Sequence, residues 1–210
     1  MIFIEKVATN REAFAQKVSS IAKALNIPSG WLMAMMYLES GLNPQAVNKQ
    51  SSNVAGYDED GNLVKKKGTA DNPMALHRAK YRATGLIQFM PRTAKGLGTT
   101  NQKLYQMTNI QQLDYVYKYY QSYAGKIKSF EDLYTINFFP IALGKPLTWV
   151  LKTSNMSAES IAQQNPGFDL NKDKQITYAE FLQAIRKILK TKLGEGLYTE
   201  VIEKKKSENQ

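Results

Sequence analysis

The sequence predicts a mainly α-helical fold, and three observations carry the prediction. An unbroken run of eight apolar residues, Trp31 to Leu38, is built from strong helix formers with no β-branched residue among them. Ahead of it, residues 5–25 place Val7, Phe14, Val18, Ile21, Ala22 and Leu25 at helical spacing. Strand signal is confined to one short hairpin, Tyr57 to Val64, turning near Asp60-Gly61-Asn62 inside a polar, aperiodic stretch over residues 45–82.

Residues 5–25 read as an amphipathic helix that ends at Asn26-Ile27-Pro28-Ser29. Ser29 is placed to cap the next helix. That helix is apolar on every side and is therefore expected in the core. Gly41 stands where a left-handed cap ends a helix, with Pro44 beyond it. Glu39 then falls in the last turn of a buried helix, where partial desolvation and the negative end of the helix dipole both favour its protonated form. A carboxyl kept protonated near neutral pH suits a general acid for glycoside cleavage. The plainer alternative is that Glu39 marks where the helix leaves the core.

Around the hairpin, Asp58, Glu59 and Asp60 are either a second catalytic carboxylate or solvated turn residues. Asp58, Asp60 and Asn62 have a faint calcium-loop spacing, but Thr69 stands where the closing carboxylate is needed. Lys65-Lys66-Lys67 reads as a solvated run. His77 is the single histidine and the chain has no cysteine, so it lacks partners for a metal site of nitrogen and sulfur ligands.

Pro91 suits the first turn of a helix through Thr93 and Ala94, closed by Gly96-Leu97-Gly98. Residues 109–124 form another helix, dense in tyrosine at Tyr115, Tyr117, Tyr119, Tyr120 and Tyr123. Some of these belong to the core, and an aromatic face with a polar edge also suits a sugar ring. Ser129 opens a further helix that runs to Phe139-Pro140.

Glu39-Ser40-Gly41-Leu42-Asn43-Pro44, paired with Gly85-Leu86-Ile87-Gln88-Phe89-Met90-Pro91 and then Thr93-Ala94, resembles the lytic transglycosylase family of the lysozyme-like superfamily. The resemblance spans roughly residues 20–145. It implies a lysozyme-like helical domain, with a small hairpin beside the cleft, that cleaves the MurNAc–GlcNAc β-1,4 bond of peptidoglycan and leaves 1,6-anhydro-MurNAc ends. By position it makes Glu39 the single acid/base, Ser40 its support, and Gln88 and Phe89 substrate contacts. The family's Ala-Tyr-Asn motif is altered here to Tyr134-Thr135-Ile136-Asn137-Phe138, so Tyr134 and Asn137, with Phe138 as an alternative, are the candidates to stand in as further sugar contacts. No cofactor is implied for catalysis. Two other readings remain: a hydrolytic muramidase using Asp58 or Asp60 to position water, and an inactive wall-binding or structural component of a phage particle or secretion apparatus.

A second motif follows. Asp169, Asn171, Asp173, Gln175, Thr177 and Glu180 place oxygens at positions one, three, five, seven, nine and twelve of a twelve-residue loop, the seventh through its backbone carbonyl. With helices on either side, over 157–164 and 178–189, this resembles a single EF-hand holding a structural Ca2+. Lys174 departs from it: a lysine occupies the sharp-turn position normally held by glycine, which costs on the order of 1 kcal/mol and weakens binding. The competing reading is a degenerate loop that staples two helices without metal.

These motifs divide the 210 residues into a lysozyme-like domain over 1–152, an EF-hand-like module over 153–190 and a charged tail over 191–210. The net charge of +10 points to a polyanionic partner, and with no nucleic-acid motif present that partner is cell-wall polymer, peptidoglycan, rather than nucleic acid. The start of the chain does not read as a signal peptide, and no stretch reads as a transmembrane segment. The expectation is a monomer made in the cytoplasm that acts at the wall or periplasm, carried on a virion or released by a lysis or secretion system.

Overall fold

The computed structural model describes residues 1–48, 54–65, 75–199 and 202, with the backbone alone for Val54, Ala55, Lys65 and Ala75. Lys66, Lys67, Thr69 and the basic residues 204–206 lie outside the described residues. The chain is mainly helical and divides into two compact units, Met1–Gly125 and Lys126–Gln210.

In the first unit, α1 (Arg11–Leu25) and α2 (Ser29–Ser40) follow a single 3-10 turn at Ile4–Lys6. The expected helix over 5–25 therefore starts six residues late. Asn10 takes a left-handed conformation (φ 55°) that breaks the helix ahead of Arg11. Val7, which extended the apolar pattern, is buried from the loop instead, and its carbonyl accepts from Arg11 Nε at 2.7 Å. Asn26 closes α1 with a second left-handed residue, and Pro28 occupies the N-cap of α2, so Ser29 is its first helical residue rather than its cap.

The core of this unit is α2 itself. Trp31 to Met36 are each at most 2% exposed, and α2 lies against α1, whose Phe14, Val18 and Leu25 are also buried. A fully buried side chain of this size stabilises by roughly 1.5–3 kcal/mol. The antiparallel hairpin β1 (Val54–Tyr57) and β2 (Leu63–Lys65) pairs Tyr57 with Leu63 and carries a bulge between Val54 and Gly56. A Cβ on Gly56 would lie 1.8 Å from the Tyr81 carbonyl, to which Tyr57 N–H donates at 2.7 Å, so glycine lets the hairpin lie against that segment. Four helices complete the unit: α3 (Ala75–Ala79), α4 (Pro91–Gly96, with Pro91 in its first turn), α5 (Asn101–Gln106) and α6 (Asn109–Tyr120). A Thr108–Gln111 capping box starts α6, and a 3-10 turn at Gln121–Tyr123 finishes the expected 109–124 helix.

The second unit holds α7 (Phe130–Phe138), α8 (Ala158–Gln164), α9 (Tyr178–Leu193) and α10 (Glu195–Tyr198). Ser129 caps α7 as expected, in a reciprocal box with Asp132. The rings of Phe138, Phe168, Phe181 and Tyr178 pack together with centroids 4.9–6.3 Å apart. The Glu131 side chain, 5% exposed, accepts from Arg186 Nε at 3.0 Å, which ties α7 to α9. No helix among the described residues is long and apolar enough to cross a membrane.

Candidate active site

Glu39 stands at the point where α2 leaves the interior. Met36 is fully buried, while Tyr37 to Ser40 are half-buried. The chain is fixed directly after it. Gly41 and Leu42 both take left-handed φ (63° and 65°), and their amides donate to the carbonyls of Tyr37 (2.9 Å) and Met36 (3.2 Å). Leu42 is 3% exposed, so its burial offsets the conformational cost of a non-glycine there. The end of α2 is thereby held rather than frayed, which a carboxyl that must reach defined atoms requires.

The second motif is a tight antiparallel turn. Thr84 N–H donates to the Phe89 carbonyl at 3.1 Å and Phe89 N–H returns to Thr84 at 2.9 Å. Gly85 (φ 85°) and Gln88 (φ 55°) supply the left-handed residues. From α5, Asn101 Nδ2 donates to the carbonyls of Arg82 (2.6 Å) and Phe89 (2.8 Å), closing the base of the turn.

The two motifs meet in space. Ser40 Oγ lies 2.9 Å from both the Met36 and the Leu86 carbonyl oxygens, so its proton bonds the helix end to the turn. Gln112 of α6, fully buried, joins the same parts from behind. Its Oε1 accepts from Leu86 N–H at 2.9 Å, and its Nε2 donates to the carbonyls of Pro44 and Leu104, each at 2.6 Å. Tyr120 also belongs to this neighbourhood. Burial pushes its hydroxyl pKa well above the usual value, and Tyr119 and the nearby Glu39 charge push in the same direction.

The remaining expected contacts fall in several places. Half-buried Gln88 directs Nε2 to the carbonyls of Gly85 (3.0 Å) and Ala46 (3.3 Å), so its amide braces the turn. Phe89 is 2% exposed and packs its ring edge-on to Tyr119 at 6.4 Å. Tyr134 and Asn137, both half-buried on α7, belong to the second unit, where Tyr134 lies 6.4 Å from the rings of Phe130 and Phe181.

Asp58 and Asp60 of the hairpin are both engaged. Asp58 accepts from the backbone amides of Asp60 and Asn62 and from Asn62 Nδ2, at 2.8–3.2 Å. The Asn62 amide above all holds its carboxyl below the ordinary value. Asp60 pairs with Lys95 of α4 at 2.6 Å. His77 is exposed and stands edge-on to Tyr81, 6.2 Å away.

In the second unit, the expected loop lies between α8 and α9, with Ser157 and Thr177 capping the two helices. Lys174 does take the left-handed conformation the loop requires (φ 67°), and its amide donates to Asp169 Oδ2 at 3.0 Å. Its ammonium lies 3.4 Å from Glu159 on α8. Glu180 is bonded through Oε2 to the amide and hydroxyl of Thr177 at 2.9 and 2.8 Å. Loop residues Ile176 and Tyr178 pair with the Trp149–Leu151 segment through backbone bonds of 2.8 Å each. No group of three or more His, Cys, Asp or Glu side chains is placed to hold a metal among the described residues. One atom nevertheless fits a cation: Asp169 Oδ1 is buried and makes no hydrogen bond.

Sequence reasoning missed Gln112. A glutamine that follows another glutamine in an amphipathic helix carries no signal of burial, and its partners are backbone atoms 8, 26 and 68 residues away. Searches among curated proteins and solved structures find no match to this chain. The family model described as "Transglycosylase SLT domain" does match, over residues 18–128, a span that contains Glu39, the Gly85–Gln88 turn and Gln112. With more than half of its length matched and both motifs brought together at the end of α2, the chain belongs to the transglycosylase SLT domain family, which cleaves peptidoglycan.

Proposed function

We propose that the protein is a lytic transglycosylase in which Glu39 is the only acid/base. The observation that carries this reading is the joining of the two motifs: Ser40, the residue after Glu39, bonds to Leu86 inside the Gly85–Gln88 turn. Glu39, protonated, gives its proton to the glycosidic oxygen as the bond to C1 of MurNAc breaks. The resulting carboxylate then takes the proton of the C6 hydroxyl, and that oxygen closes onto C1. The product is a 1,6-anhydro ring, no water is consumed, and Glu39 ends as it began. One carboxyl suffices, whereas ordinary glycoside hydrolysis uses two at a defined separation. The engagement of Asp58 and Asp60 within the hairpin and with Lys95 supports the single-carboxyl reading over the water-using one.

Mass spectrometry of fragments released from purified sacculi tests this. Anhydro-MurNAc ends are expected; reducing MurNAc ends would move the protein to hydrolysis, and a protein that binds sacculi without releasing fragments would be a wall-binding component.

We further propose that Asp169, Asn171, Asp173, Gln175, Thr177 and Glu180 hold a structural Ca2+. Oxygen ligands of this number and kind suit a hard cation, and the buried, unbonded Asp169 Oδ1 supports it. Its role would be to neutralise the loop carboxylates and brace α8 against α9. Calcium at about 100 times its Kd would stabilise the fold by roughly 2.7 kcal/mol. The second unit's thermal transition should therefore rise by several degrees with Ca2+, and Asp169→Ala should remove the shift. A transition that ignores Ca2+ would leave the loop as a metal-free staple.

A further inference from the structure

We propose that Gln112 is the positioning residue of the active centre: one buried side-chain amide sets the distance between the two loops that flank Glu39. The proposal rests on the transglycosylase reading above. Three segments of the first unit converge on this amide. The turn after α2 reaches it through the Pro44 carbonyl, the 84–89 turn through the Leu86 amide, and the end of α5 through the Leu104 carbonyl. Both N–H donors and the oxygen of the amide are engaged at 2.6–2.9 Å, with no exposure to solvent.

The route from this amide to the reacting carboxyl is short. Leu86 gives its N–H to Gln112 and its carbonyl to Ser40 Oγ, and Ser40 directly follows Glu39. Both backbone groups of one residue are thus bonded, the N–H to α6 and the carbonyl to the end of α2. Gly85 matches the arrangement: a Cβ there would stand 2.5 Å from Gln112 Oε1, so the turn backbone lies hard against the amide. An apolar side chain of equal volume would fill the space but leave the Leu86 amide and the Pro44 carbonyl without these partners, whereas the Leu104 carbonyl keeps the Met107 amide at 3.1 Å, and the two motif loops would shift to find new ones. Glu39 must serve two oxygens in succession, on C4 of one sugar and C6 of the other, so small shifts in the cleft wall act on turnover more than on binding.

The test compares three full-length variants, each assayed on soluble glycan strands well below its melting temperature. Gln112→Met keeps the volume and removes all three bonds. Gln112→Glu keeps an acceptor for Leu86 N–H and, when protonated, one donor for a carbonyl. Asn109→Leu is the control: it removes another buried amide of α6 whose Nδ2 bonds to the Thr9 carbonyl at 2.7 Å, away from both motif loops. Gln112→Met is expected to lower kcat at least tenfold with KM changed less than threefold, and to speed hydrogen exchange at the Leu86 amide. Asn109→Leu should stay within twofold of the wild-type kcat. The ratio of Gln112→Glu to Gln112→Met activity should fall as pH rises and the introduced carboxyl loses its donor. A Gln112→Met kcat within threefold of wild type, or a loss matched by Asn109→Leu, overturns the positioning role while leaving the function intact. Should Gln112→Met not fold, a Gln112→Glu profile parallel to wild type overturns it equally. A wild-type protein that releases no fragments overturns the function itself and the positioning role with it, whatever the Leu86 amide does.

Discussion

Glu39→Gln should abolish fragment release from sacculi while the protein stays folded and keeps its affinity for glycan strands. Glutamine preserves the shape of the side chain but can neither give up a proton to the leaving oxygen nor take one from the C6 hydroxyl. A positioned acid or base contributes about 10²–10⁴ to rate, and here one group performs both transfers, so the loss belongs at the upper end. The change should not destabilise the fold. Glu39 sits in the last turn of α2, among half-buried residues, at the helix end where a negative charge is unfavourable by roughly 0.3–1 kcal/mol. The melting temperature of Glu39→Gln should therefore equal or exceed that of the wild type. Activity above a tenth of wild type would remove Glu39 from the proton transfers. A lower melting temperature would instead make it a structural residue, the plainer alternative its sequence position allowed.

The parts of this fold that could be read in advance are those whose signal is local. The helix α2 announces itself by consecutive apolar residues, and Gly41 by its place after them, because both are statements about neighbours in sequence. The start of α7 was legible for the same reason, since Ser129 caps a turn three residues on. The start of α1 was not. Val7 is buried at 1% exposure, as its hydrophobicity demands, but from a loop, and periodicity cannot distinguish the two. The short helices α3 and α5 are too brief for a periodic pattern to form. Phe89 shows a different limit. It lies between half-buried Gln88 and exposed Met90, and its ring turns to the core against Tyr119 because an antiparallel turn sends adjacent side chains to opposite sides. Gln112 is the extreme case, since its role consists entirely of bonds to backbone groups 8, 26 and 68 residues away. What local pattern lacks here is tertiary proximity, and in this chain it is proximity that assembles the centre.

Gly85→Ala should be the most damaging single methyl added to the catalytic unit's motifs, and the damage separates into two causes. The first is conformational: at φ 85° a side chain is strained by about 1–2 kcal/mol. The second is steric. The new Cβ would meet Gln112 Oε1 at 2.5 Å, Cδ at 3.1 Å and Nε2 at 3.2 Å. The amide is bonded on three sides and cannot swing away without leaving buried groups unpaired, at roughly 1–3 kcal/mol. Together they should lower the melting temperature of the first unit by around 10 °C, at roughly 2–4 °C per kcal/mol. Gly98→Ala isolates the first cause, because Gly98 has a similar φ of 78° but nothing within 4 Å of its Cβ position. Its cost should stay near the conformational figure alone. The double variant Gly85→Ala with Gln112→Ala isolates the second: once the amide is gone, the added methyl should cost no more than it does at Gly98. Strict additivity of the two single changes would mean that glycine and amide do not act as one unit, because residues in direct contact couple and independent ones do not. Coupling would instead explain why this turn carries a glycine: a backbone pressed against the Gln112 amide, which ties α6 to the loops beside Glu39, leaves no space for a side chain.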